Sequence, residues 1–191
     1  MCGIAGVIGV RDGGRTDEAE LTALRDAQTH RGPDDAGLWL SEDATVGLGH
    51  RRLSIIDLSP RGHQPMWDST KSVEIVFNGE IFNAPELRLE LEAEGIQFRT
   101  DHSDTEVLLQ ALDRWDWHAL DHCEGMWALA YFDARKGSLL LSRDRFGEKP
   151  LYLHRDSGGL YFASEPKFSF ALLGKSLPVN KNHLRRYLVN G

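Results

Sequence analysis

Two hydrophobic rhythms alternate along the chain. Short apolar runs, "IAGVIGV", "TVGLGH", "VEIVFNG", "MWALAYFD", "SLLLSRD", "LYLHRD" and "LYFAS", are rich in β-branched and aromatic residues. They are bounded by glycine, aspartate or asparagine, which predicts strands. Many stay apolar on consecutive positions, so their sheets are expected to be covered by each other and by helices. "YFDARKGSLLLSRD" joins two such runs through a short turn containing Gly137, the pattern of a hairpin.

Three segments follow a helical spacing instead. "TDEAELTALRDAQTHRG" offers Thr16 as a cap, acids in its first turn and Gly32 beyond its end. "NAPELRLELEAEG" sets Asn83 and Glu86 at capping-box spacing, Leu87 and Leu91 on one face, and Gly95 as a stop. "SDTEVLLQALDRW" repeats the box with Ser103 and Glu106, and lines Val107, Ala111 and Trp115 along one stripe. Strands outnumber helices, and the helices come singly between groups of strands. That predicts a layered α+β domain rather than a repeating βαβ sheet.

At 191 residues the chain is read as one domain, with a core that needs no metal or disulfide staple. Its net charge of -7 is spread along the chain, which argues against nucleic acid as a partner. No run approaches the roughly 18 apolar residues of a membrane span. "MCGIAGVIGVRDGG" has no positive charge ahead of its apolar run, which Gly3, Gly6 and Gly9 interrupt, so it does not read as a secretion signal. Cys2 and Cys123 are the only cysteines and make no disulfide framework. A cytoplasmic protein is expected. No dinucleotide or P-loop pattern is present, so no nucleotide site is expected within these residues.

Cys2 raises a question of chemistry. A thiol attacks well only as thiolate, and its ordinary pKa of about 8.5 calls for a base. At a chain start that base can be the residue's own α-amine, whose reference pKa is about 7.7–8.0. This requires removal of Met1. The alternative is that Cys2 is a small hydrophobe opening a strand, and the first six residues leave both readings standing.

Six motifs in order carry a resemblance: "CGIAG", "HRGPDDAG", "RRLSIIDLS", "FNGEIFN", "SDTE" and "RDRFGEKPLY". Together they resemble the glutaminase domain of glutamine-dependent asparagine synthetases, amidotransferases with an N-terminal nucleophile. The resemblance spans residues 2–191, and "FNGEIFN" with "RRLSIIDLS" favours this branch over amino-sugar and purine-precursor amidotransferases. It implies a four-layer αββα sandwich of two stacked, mostly antiparallel sheets. It also implies hydrolysis of glutamine through a Cys2 thioester, delivering ammonia to a C-terminal ATP-dependent synthetase domain or subunit. ATP and Mg belong to that partner; no cofactor is expected here.

By the same resemblance, Arg52 grips the glutamine carboxylate, a task suited to a planar fork of donors. Leu53 and Ile55 contribute backbone and apolar contacts. Asn78 and Gly79 form the oxyanion hole; as bare sequence, Asn-Gly is also a turn signal at the end of "VEIVF". Glu80 lines the amino-acid end, and Asp104 holds the α-ammonium, although an acid there also suits a helix start. Glu106 is read as a capping residue, and "HRGPDDAG" and "RDRFGEKPLY" as scaffolding.

His118, His122 and Cys123 lie close together in "HALDHC", but no fourth ligand is evident and no metal site is assigned. Cys123 is read as a small buried hydrophobe. Pro166 and Phe168 depart from the family's usual pattern after the last strand. The amide acceptor stays open between aspartate and another acid, as does any homo-oligomeric state. A non-catalytic glutamine-binding regulatory domain is the reading from another class.

Overall fold

The computed structural model describes residues 1–9, 15–55, 60–157, 159–167 and 179–190. Numbered in chain order, nine strands form two antiparallel sheets among these residues. The first runs β2 (Asp35–Leu40), β3 (Val46–Arg52), β1 (Gly3–Gly9), β9 (Gly159–Ala163) and β8 (Tyr152–Asp156). The second runs β4 (Met66–Trp67), β5 (Val73–Ile81), β6 (Gly125–Asp133) and β7 (Ser138–Arg143). Five α-helices accompany them: α1 (Glu18–Asp26), α2 (Ala84–Ala93), α3 (Asp104–Trp115), α4 (Ala119–His122) and α5 (Lys181–Asn190).

Strand alternation sets the layers. On β1, Ile4 points between the sheets, where it meets Val46, Leu48, Val76, Ala128, Ala130, Phe132 and Phe162. Its neighbours Ala5 and Val7 point the other way, onto Leu21 and Leu24 of α1. On β5, Val76 faces the first sheet, while Val73, Ile75 and Phe77 meet Leu87, Leu91, Leu108 and Leu112 of α2 and α3. The consecutive apolar positions are therefore buried on both faces. The result is an αββα sandwich. No helix among the described residues is long and apolar enough to cross a membrane.

The seven predicted strands and the Gly137 hairpin are present, Gly137 adopting φ 59° at the turn. Two strands escaped the pattern. β2 begins on an acid and contains Gly37, and its place is set by pairing with β3. β4 has two residues and rests on the start of β5.

Helix caps also moved. Asp17, not Thr16, caps α1 by accepting from the Ala19 N–H at 2.8 Å. α1 ends at Asp26, well before Gly32; that glycine instead packs on the Arg51–Arg52 peptide, where a Cβ would come within 2.4 Å. Asn83 makes no cap bond, because its amide spans the α4–β6 corner, donating to His122 O (2.9 Å) and accepting from Glu124 N–H (2.8 Å). Ser103 does cap α3, accepting from the Glu106 N–H. Glu106 does not reciprocate. Its buried carboxylate takes the N–H groups of Arg99 and Thr100 at 2.7 and 2.8 Å, tying the preceding loop to the helix. Phe168 lies outside the described residues.

Candidate active site

The first residues of β1 are firmly held. The Ile4 N–H donates to Ser164 Oγ at 3.0 Å, and Gln28 Nε2 donates to Ile4 O at 3.1 Å. Cys2 lies one position beyond the Gly3–Arg51 pair of the β1–β3 ladder, which sets it beside Arg52. Its carbonyl accepts from Arg31 Nε at 3.0 Å, and Arg31 Nη1 donates to Glu165 Oε1 at 3.2 Å. His30 shares that same carboxylate oxygen at 2.8 Å. Burial raises the Glu165 carboxyl, but the bonds from His30 and Arg31 outweigh it and hold Glu165 below its ordinary value. The half-buried Cys2 sulfur receives the Leu53 N–H at 3.5 Å, and its thiol points to Leu53 O at 3.9 Å.

Alternation on β3 separates the two adjacent arginines. Leu48, His50 and Arg52 face between the sheets; Arg51 faces α1, where its Nη2 donates to Asp26 at 2.8 Å. Arg52 is buried, and its guanidinium lies against Gly62, where a Cβ would fall 2.1 Å from Nη2. Glycine at 62 keeps that space open.

Asn78 and Gly79 form no turn. They continue β5, paired with Ala128 and Trp127 of β6, because the ladder carries the strand on to Ile81. Asn78 shares the inter-sheet face of Val76 and is buried, yet its Nδ2 has no hydrogen-bond partner. A buried donor left unpaired is rare and calls for an explanation. β4 pairs only with Glu74 and Ile75, so the outer edge of β5 is open beyond that point. Alternate N–H groups face this edge. That of Phe77 is taken by Gln64 Oε1 (2.6 Å) and that of Ile81 by Asp104 Oδ2 (3.1 Å), which puts the intervening Gly79 N–H on the same edge. A Cβ on Gly79 would come within 2.3 Å of Met126 O, so only glycine fits.

Asp104 opens α3. Burial pushes its carboxyl up, against the opposing Ile81 and Thr105 N–H groups, and the charge of Glu80 adds to the rise. Two acids thus meet at the end of β5, and no cation pairs with Asp104 among the described residues. Glu80 itself is exposed. Ile55 is 72% exposed.

His50 was not singled out in the sequence. It is fully buried, and desolvation pushes it down to about 3, so the ring is neutral. Its Nε2 lies 3.2 Å from Phe77 O, a group that only accepts, which assigns the proton to Nε2. Arg31 and Glu165 were likewise missed as individuals, being 134 positions apart in the chain. Cys123 is buried in the helix-side core, its thiol donating to Ala119 O at 3.2 Å and pushed up to about 11 by burial. Among the described residues no three His, Cys, Asp or Glu side chains are grouped to hold a metal.

The fold thus sets Cys2 at the start of β1 beside Arg52 of β3, Asn78 and Gly79 along β5, and Asp104 at the start of α3. The chain belongs to the glutamine amidotransferase domain family, which matches residues 1–191. It is 37% identical over 209 aligned positions to putative asparagine synthetase [glutamine-hydrolyzing] 2 of Methanocaldococcus jannaschii, covering 100% of this chain and 39% of that protein. It is 40% identical to asparagine synthetase [glutamine-hydrolyzing] 1 of Bacillus subtilis, covering 98% and 29%. Asparagine synthetase B of Escherichia coli is also 40% identical, over 87% and 29%. The chain thus spans between about three tenths and two fifths of these relatives. Among solved structures, glutamine phosphoribosylpyrophosphate amidotransferase from B. subtilis shares the fold at TM-score 0.72 and 20% identity, over 91% of this chain and 44% of that one.

Proposed function

We propose that residues 2–191 are the glutaminase domain of a longer ATP-dependent amide-forming ligase, with Cys2 as nucleophile. Removal of Met1 frees the Cys2 α-amine, which takes the thiol proton as the sulfur attacks the side-chain amide carbon of glutamine. The carbonyl oxygen becomes an oxyanion, met by Asn78 Nδ2 and the Gly79 N–H. The amine then gives its proton to the departing ammonia. Water, deprotonated by the same amine, cleaves the thioester to glutamate and restores the thiol. Arg52 holds the substrate carboxylate, and Asp104, with Glu80 beside it, holds the ammonium. The Leu53 N–H steadies the sulfur, and Arg31 fixes the peptide that carries it.

The observation that carries this reading is the buried, unpartnered amide of Asn78, on the same end of the sandwich as Cys2. A donor left without a partner in the resting state is what an oxyanion formed only during reaction requires. Ammonia would pass to a synthetase portion that binds ATP and Mg and activates an acceptor carboxylate, aspartate by analogy with the relatives' names. The test is incubation of this chain with glutamine, without ATP, followed by glutamate and ammonia assays and by mass spectrometry of the trapped enzyme. Equal amounts of both products and a thioester on Cys2 support the proposal. Glutamine binding without turnover in the processed chain would leave only a regulatory domain.

A further inference from the structure

We propose that the end of the sandwich remote from Cys2 holds a second ligand site, a cleft for a small organic cation with a flat apolar body. A cleft of about 900 Å³ opens there between the sheets, walled by Trp39, Trp67 and Phe132 and reaching Glu74. That volume suits a small-molecule ligand. Ile8 lines the cleft and Cys2 lies six residues back along the chain, a separation of about 20 Å along a strand. None of the glutamine-site residues named above lines it.

Glu74 is the feature that calls for a ligand. By alternation it shares the inter-sheet face of β5 with Val76, where the surrounding positions are apolar. It is 2% exposed, and its Oε2 is buried without a hydrogen-bond partner. Such a group is costly unless something pairs with it.

Three charges act on Glu74: Asp68 and Lys71 from the β4–β5 turn, and Arg99 from the loop before α3. Neither cation hydrogen-bonds Glu74 Oε2, although Lys71 itself lines the cleft. Lys71 Nζ lies 5.7 Å from the Trp67 ring centroid, and Arg99 donates to Trp67 O and pairs with Glu106 at 3.7 Å. The exposed acids Glu42 and Asp43 stand at the rim. Aromatic faces around an unpaired acid recognise ammonium or guanidinium groups. Trp39 packs on Phe132 at 5.4 Å between centroids, which stiffens that wall.

Burial, then Asp68, push the Glu74 carboxyl up to about 8, against Lys71 and Arg99. Near neutral pH the empty site is therefore mostly protonated. An incoming ammonium favours the carboxylate, so binding expels that proton to solvent.

The experiment is calorimetric titration of this chain with benzylammonium near neutral pH, in two buffers of different ionisation enthalpy. Saturable binding with release of close to one proton is expected. Benzyl alcohol and benzoate should bind at least about tenfold more weakly. Glu74→Gln should weaken benzylammonium by about tenfold or more and abolish proton release. Trp39→Leu gives an independent variant and should also weaken binding. No saturation at millimolar benzylammonium, equal binding of benzyl alcohol, or unchanged proton release in the folded Glu74→Gln protein would overturn the proposal.

Discussion

Arg51 and Arg52 are consecutive on β3 and face opposite sides of it: Arg51 reaches Asp26 at 2.8 Å, while Arg52 is buried between the sheets. Their substitutions should therefore part company. Arg51→Ala removes a pair to a half-exposed acid, worth up to about 1 kcal/mol of stability, with turnover unchanged. Arg52→Ala removes a planar fork from the substrate carboxylate and should raise the KM for glutamine by about 100-fold. Steady-state kinetics with urea melts would separate the two. Similar kinetic losses in both variants would contradict the assignment.

Asn78 leads to a different kinetic signature. Its Nδ2 waits unpaired in the resting site, so its contribution arises when the oxyanion forms. Asn78→Ala should lower kcat by about 10²–10³ with a smaller change in glutamine affinity. Near-normal kcat would remove the amide from the mechanism.

Asp104 trades stability for binding. Burial raises its carboxyl above the ordinary value, so the folded state holds this proton more tightly than the unfolded chain. Stability from this group is present below the unfolded pKa and is lost as pH rises through the folded one. Asp104→Asn should therefore leave the empty protein as stable or more stable at neutral pH, while raising the KM for glutamine at least about tenfold. Glutamine binding by the wild type should fall on acidification at a higher pH than an ordinary aspartate would give. A thermal melt and a KM–pH profile are the measurements, and an unchanged KM in the variant would sink the role.

How much of this was legible beforehand follows from physical range. Apolar runs such as "MWALAYFD" announced their strands because both faces are buried, and the Ser103 cap needed only its own helix. Asn83 misled because its amide had stronger partners across the fold at His122 and Glu124. The Asn78–Gly79 turn signal lost to nine residue pairs with β6, a tertiary fact invisible locally. The motif around Arg51 and Arg52 favours Arg52 over Arg51, and strand alternation sets the two side chains on opposite faces of β3. Arg31 offered no local sign of its role, since its contact to Cys2 crosses 29 positions and its contact to Glu165 crosses 134.

His50 should make the fold sensitive to acid. Its folded value of about 3 lies below the ordinary 6.5, so the unfolded chain takes up a proton that the folded one refuses. Stability is full above the ordinary value and falls by about 1.4 kcal/mol per pH unit below it, until the folded value is reached. Between pH 6 and the range where carboxylates titrate, His50 should account for a visible part of the slope. His50→Gln can keep an N–H donor toward Phe77 O and should flatten that stretch of a urea-midpoint profile. An unaltered slope in the variant would mean that the ring is protonated in place.

Processing of Met1 decides whether the proposed base exists at all. While Met1 is attached, the Cys2 nitrogen is an amide and cannot accept the thiol proton. Met1 is 58% exposed, so it is open to removal, whereas the residues after it are clamped through Ile4, Gln28 and Ser164. Intact-mass measurement of active protein should show the chain short by one methionine. A chain with an uncleaved tag, or with the freed amine acetylated, should lose turnover by at least about 10². It should still bind glutamine, because Arg52, Asp104 and Asn78 are untouched, and equilibrium binding of labelled glutamine would show this. A fully active species that retains Met1 would require another base. The neutral, buried His50 is committed to Phe77 O and is a poor substitute, so such a result would displace the amine mechanism as a whole.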